Sequence, residues 1–137
     1  PSHILILAYN RAVVVELKHR LDNLFTKLGM RRIGHHLHVH TFHALAKICM
    51  GSRLDNVPTE LWEKLFLQFL QNNILEFRGL FPQIEYVLVD EFQDITRDRL
   101  LSLLEIRKIY PDVKFFLFFF DIFRSQNSRF CYSPSSR

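Results

Sequence analysis

Asp90 and Glu91 are adjacent carboxylates set directly behind the apolar run Tyr86-Val87-Leu88-Val89, with Asp94 close behind them. The run is short, rich in branched residues and bounded by turn and polar signals, which predicts a fully buried strand. Both acids then emerge at the carboxyl end of that strand, where open α/β sheets bind their ligands. There Asp90 could hold Mg²⁺ and Glu91 could polarise a water, which is the chemistry of a magnesium-dependent nucleotide hydrolase. A bare Asp-Glu pair is ordinarily a solvated turn, so its meaning depends on the elements that position it.

Those elements alternate. Ile4 to Ala8 reads as a buried strand, and Asn10 can cap a helix that Gly29 stops. Between them Val14, Leu17, Leu21, Leu24, Phe25 and Leu28 define one apolar helical face, leaving Lys18, Arg20 and Lys27 to solvent. A basic, histidine-rich link leads to a short strand at Leu37 to His40. Thr41 then caps a helix carrying Leu45, Ile48 and Cys49, which Gly51 ends. Pro58-Thr59-Glu60 begins a helix expected to bury Leu61, Leu65, Phe66, Phe69 and Leu70 and to run on through Ile74 and Leu75 until Gly79 to Pro82 break it. Beyond the acids, Arg97 to Ile109 reads as a helix showing Leu100, Leu101, Leu103 and Leu104. Tyr110-Pro111-Asp112 turns that helix into a strand from Val113 to Phe120. Alternation of this kind predicts an α/β domain with a parallel sheet and helices on both faces. The pattern covers residues 1-121, and 122-137 read as a degenerate or unstructured tail.

The chain has 137 residues, enough for one packed domain, and its 48% hydrophobic content with only 4 glycines excludes a disordered or collagen-like chain. A net charge of +4 suits a nucleic-acid partner, because lysine and arginine displace counterions from phosphate. Cys49 and Cys131 lie far apart without paired spacing, which suits a reducing compartment and offers neither a zinc site nor a disulfide framework. No export signal is evident, and the longest apolar run, Phe115 to Phe120, is far short of the roughly 20 residues of a membrane helix. The expected setting is cytoplasmic, or nuclear in a eukaryote, with no membrane partner.

Asp90-Glu91-Phe92-Gln93-Asp94 behind its apolar run resembles the Walker B element of UvrD/Rep-like superfamily 1 DNA helicases. Leu5 to Ala12 resembles the family's motif Ia, and Val39-His40-Thr41-Phe42-His43-Ala44-Leu45 its motif Ib, in the family's order. The resemblance implies a partial RecA-like P-loop NTPase lobe that uses ATP and Mg²⁺ to move on single-stranded DNA. It assigns Asp90 to the metal and Glu91 to the attacking water. Gln93 and Asp94 match positions that couple the nucleotide site to neighbouring motifs. Tyr9, Asn10, Arg11, Thr41, Phe42 and His43 match the DNA track. Physically, free amides at a helix start attract phosphate, Arg11 adds charge, Tyr9 offers a ring to a base, and Thr41 can donate a hydrogen bond.

Asp121, Gln126, Arg129 and Phe130 echo motif III, with Gln126 in the place of the γ-phosphate sensor, although Phe120 stands where the family has glycine and the glutamine spacing is displaced. No G-x-x-x-x-G-K-[ST] loop occurs in the sequence, so nothing here cradles the β- and γ-phosphates. The resemblance therefore implies a truncated or disrupted helicase, inactive alone, whose partners are DNA and the rest of the motor. It also implies a sheet lacking the phosphate-loop strand, with Val113 to Phe120 short of a partner and prone to aggregate. His36, His38 and His40 would share one strand face, but without acidic or cysteine partners they read as a basic surface titrating near about pH 6.5 rather than a metal site. Two alternatives stand beside the helicase: a non-catalytic nucleic-acid-binding remnant, and a Mg²⁺-dependent nuclease using Asp90, Glu91 and Asp94.

Overall fold

A computed structural model describes residues 3–30, 36–119 and 131–132, the last two by backbone alone. The elements are β1 (Ile4–Leu7), α1 (Arg11–Lys27), β2 (Leu37–His40), α2 (Phe42–Met50), α3 (Trp62–Asn72), α4 (Ile74–Leu80), β3 (Tyr86–Val89), α5 (Arg97–Ile109), β4 (Lys114–Phe118) and β5 (Cys131–Tyr132). The sheet runs in the order β2-β1-β3-β4-β5. Its first four strands are parallel, and the two-residue β5 is antiparallel. The expected α/β class with a parallel sheet is thus what the chain adopts.

Strand alternation sorts the core into two layers. Leu5, Leu7, Val87, Val89, Phe115 and Leu117 face α2, α3, α4 and α5, whose Leu45, Phe66, Leu70, Phe77 and Ile106 are almost fully buried. Ile6, Ala8 and Val39 face the other way and pack with Val13, Val14 and Leu17 of α1. Helices therefore cover both faces, but unevenly. Among the described residues α1 alone packs on the second face, and Tyr86, Leu88, Phe116 and Phe118 remain half-buried there.

Several expectations about burial are corrected. Leu24 and Leu28 of α1 are exposed, at 48% and 59%. The reason is length: 17 helical residues span about 26 Å while a four-residue strand spans about 13 Å, so the second half of α1 overhangs the sheet. Gly29 does end it, with φ +68°, as Met30 N–H reaches back to Phe25 O at 2.8 Å. The helix expected from Pro58 through Leu75 is broken at Asn73 (φ −126°, ψ 46°) into α3 and α4, and a 3₁₀ turn at Thr59–Leu61 precedes it, leaving Leu61 exposed. On α5 the buried stripe is Ser102, Leu103, Ile106 and Ile109, whereas Leu100 and Leu104 are exposed.

The outer edge of β4 is partly closed rather than open. β5 pairs with Leu117 and Phe118, while Lys114 to Phe116 have no ladder partner on that side among the described residues. Among the described residues, no helix is long and apolar enough to cross a membrane.

Candidate functional site

The parallel register brings three carboxyl-end turns side by side. Leu7 is level with both His40 and Val89. The ladder continues one step past the strands, as Ala8 N–H donates to His40 O at 2.9 Å and Asp90 N–H to Leu7 O at 3.0 Å. The turn Tyr9-Asn10-Arg11 is thereby flanked by Thr41-Phe42-His43 on one side and Asp90-Glu91 on the other.

Asp90 is buried at 6% exposure, whereas Glu91 is only partly covered. Glu91 adopts a left-handed backbone conformation, φ 53° and ψ 44°, that side chains other than glycine seldom occupy. This bend ends the strand and starts the 3₁₀ turn Phe92–Asp94, with Asp94 N–H donating to Glu91 O at 3.0 Å. The side chain of Gln93 donates to Glu91 Oε2 and so restrains this carboxylate. Gln93 and Asp94 are otherwise exposed, and Phe92 packs against the core with its ring edge-on to Phe119 at 5.7 Å. Tyr9, Phe42, Asp90, Glu91, Ile95 and Arg99 line one narrow cleft.

Two helices begin at this sheet edge with the same capping chemistry. Asn10 Oδ1 accepts from Val13 N–H at 3.0 Å, and Thr41 Oγ1 accepts from Ala44 N–H at 3.0 Å. Neither helix has an acid in its first turn, unlike α5, which carries Asp98 there. Both starts therefore keep the positive end of the helix dipole uncompensated by local acids. Capping uses the acceptor side of the Thr41 hydroxyl and leaves its O–H able to donate. Arg11, Val14, Lys18, His40, Thr41 and Ala44 line a groove of about 440 Å³ between the two helices.

The site residues inferred from sequence thus divide. Tyr9 is 51% exposed and Arg11 is exposed, so both can meet a ligand. Phe42 is a core residue at 6% exposure, with the Arg99 guanidinium 5.1 Å from its ring centre, so its face is not open to a base. His43 turns toward α3, edge-on to Trp62 at 5.8 Å and 3.7 Å from Glu63 Oε1. Gln126 and the rest of the motif III echo, Phe120, Asp121, Arg129 and Phe130, lie outside the described residues.

Three of the histidines stack on one another. His3 and His38 lie parallel at 5.9 Å, and His38 and His40 stack at 6.4 Å. Burial, followed by the charges of His3 and His36, pushes the pKa of His38 down. Burial, followed by Lys18 and His38, pushes that of His40 down to about 4. Protonation near pH 6.5 is accordingly corrected for these two. Among the described residues, no group of three His, Cys, Asp or Glu could hold a metal ion. Mg²⁺ commonly takes only one or two carboxylates, completing its shell with water and phosphate, and the Asp90-Glu91 turn fits that habit.

Sequence reasoning missed Lys18, Glu63 and Arg99. Lys18 sits two turns into a helix and reads locally as solvated. Glu63 and Arg99 meet across 36 residues, and no local motif marks such a pair.

No protein-family model, no curated protein and no solved structure matches this chain.

Proposed function

We propose that this chain is part of the first motor lobe of an ATP-dependent DNA helicase or translocase of the UvrD/Rep-like type, built on a partial RecA-like sheet. The observation that carries this reading is the convergence of the three motif-like turns, at Tyr9, Thr41 and Asp90, on the carboxyl edge of one parallel sheet. Sequence order alone does not require it. Strand order does, because β1 lies between β2 and β3.

In this reading Asp90 would hold Mg²⁺, mostly through water, and Glu91 would orient and polarise the water that attacks the γ-phosphate. The bound metal would spread the charge developing on the transferred phosphoryl group. Gln93 restrains Glu91, and Asp94 fixes the turn through its amide. Single-stranded DNA lies along the groove between α1 and α2. There Arg11, Lys18 and the Thr41 hydroxyl meet phosphates, Asn10 holds the start of α1, and Tyr9 stacks on a base. His43 and Phe42 shape the turn from beneath.

The residues present fit Mg²⁺, but they do not supply a glycine-rich loop and lysine to grip the β- and γ-phosphates. The chain alone is therefore expected to bind single-stranded DNA in a salt-sensitive way and to hydrolyse little or no ATP. ATPase assays with and without single-stranded DNA, alongside binding as salt is varied, test this. Magnesium-dependent DNA cleavage that Glu91→Gln abolishes would replace this reading with the nuclease. The non-catalytic remnant is the second reading. The groove favours it, because its components all lie within this chain while the phosphate grip does not.

A further inference from the structure

Glu63 occupies the first turn of α3 with only 17% of its side chain exposed. Its two oxygens face groups from two other segments. Oε1 accepts from Arg99 Nε at 2.5 Å and faces His43 Nε2 at 3.7 Å, while Oε2 accepts from the Thr96 hydroxyl at 2.8 Å. Thr96 in turn caps α5, its Oγ1 accepting from Arg99 N–H at 3.2 Å. Arg99 lies against the Phe42 ring at 5.1 Å and lines the cleft that holds Asp90 and Glu91. The start of α3 is itself pinned, because the Trp62 indole donates to Val57 O at 3.0 Å and its ring meets that of His43.

We propose that Glu63 is a positioning residue that locks the Thr41-Phe42-His43 turn to the start of α5, so that occupancy of the Asp90-Glu91 turn is felt at the DNA groove. The inference rests on the functional reading above. A carboxylate this covered strengthens its hydrogen bonds by excluding water, and removing its charge leaves Arg99 partly buried against Phe42 without its counter-ion. Only three residues, Ile95 to Arg97, separate Asp94 from Asp98 in the first turn of α5. A shift at the acid turn therefore displaces Thr96 and Arg99, and through Glu63 it displaces His43. Two sites coupled in this way must influence each other's affinity reciprocally.

The test uses the full chain, a single-stranded oligonucleotide and Mg²⁺ alone. Trp62 is the only tryptophan in the sequence and sits inside the network, so its emission reports on the lock directly. Oligonucleotide affinity is measured with and without Mg²⁺ for the wild type, Asp90→Asn, Glu63→Gln and Arg99→Lys, with melting curves for each. Asp90→Asn removes the metal contact and isolates the screening of DNA by Mg²⁺ itself. The wild type is expected to respond to Mg²⁺ about fivefold more than Asp90→Asn, at the low end of ordinary coupling. Glu63→Gln and Arg99→Lys are expected to respond like Asp90→Asn while keeping their Mg²⁺-free affinity within about twofold, below one RT-scale step in binding energy. A wild-type-sized response in either folded variant overturns the proposal and leaves the functional reading standing. A wild type that binds no oligonucleotide overturns both. If Glu63→Gln does not fold, Arg99→Lys decides.

Discussion

The amide of Asp90 donates to the carbonyl of Leu7 at 3.0 Å, one step beyond the last paired residues of β3 and β1. This bond sets the acid turn beside the Tyr9 turn by backbone alone. Their adjacency is therefore independent of side-chain rotamers, and substitutions at Asp90 or Tyr9 should alter chemistry without moving the neighbouring turn.

Arg11→Ala should weaken binding of single-stranded DNA at every sequence tested and lower the salt slope by about one phosphate contact. Phe42→Ala should instead act through the core, costing about 3–5 kcal/mol of stability as buried phenylalanines do. Binding titrations at several salt concentrations, paired with denaturant melts, separate the two. Equal salt slopes for wild type and Arg11→Ala would remove Arg11 from the DNA track.

Glu91 holds φ 53° in a position where glycine would carry no steric cost. Strain of this kind costs about 1–3 kcal/mol and tends to be kept where a side chain is needed. Glu91→Gly should therefore be at least as stable as Glu91→Ala, although glycine ordinarily destabilises a fixed backbone. Urea midpoints of the two variants decide it, and a clearly less stable glycine variant would show that the left-handed conformation is not what limits this position.

How far these features could be read from sequence depends on how local their causes are. The strands at Ile4, Leu37 and Tyr86, the caps Asn10 and Thr41, and the stops Gly29 and Gly51 each follow from a few adjacent residues. Leu24 and Leu28 misled because helical periodicity reports a face without saying how far the sheet beneath it extends. Phe42 misled in a different way, since a motif-like position next to a cap does not tell whether a ring points to solvent or into the layer under Arg99. Glu63 was invisible because its partners come from two other segments, and only the packing of α3 against α5 unites them.

His40 should make the fold acid-sensitive. Its folded-state pKa is about 4, lowered by burial, then Lys18, then His38, whereas an unfolded histidine titrates near about 6.5. Between those values the unfolded chain holds the extra proton, so stability is full above about pH 6.5 and declines as pH falls toward 4. His38 acts in the same direction. Melting temperatures measured from pH 7 down to pH 4.5 should fall by a few degrees more in the wild type than in His40→Gln. Parallel profiles would mean that His40 takes up its proton as readily in the folded chain as in the unfolded one.

Tyr110 is 7% exposed, and its hydroxyl donates to the carbonyl of Phe81, joining the end of α5 to the segment that leads into β3. Tyr110→Phe keeps the ring against Phe77 but strands that carbonyl, which should cost about 1–3 kcal/mol. The urea midpoint at neutral pH should drop with an unchanged slope, since the surface exposed on unfolding is the same. Burial raises the pKa of this hydroxyl to about 12, although Arg78 pulls against it. An unfolded tyrosine ionises near about 10, so between 10 and 12 the unfolded chain loses the proton first and stability falls as pH rises. The gap between wild type and Tyr110→Phe should therefore narrow above pH 10. A gap that stays constant into the alkaline range would show that the phenol ionises as readily in the folded chain as in the unfolded one, which a hydroxyl bonded to Phe81 inside this core should not do.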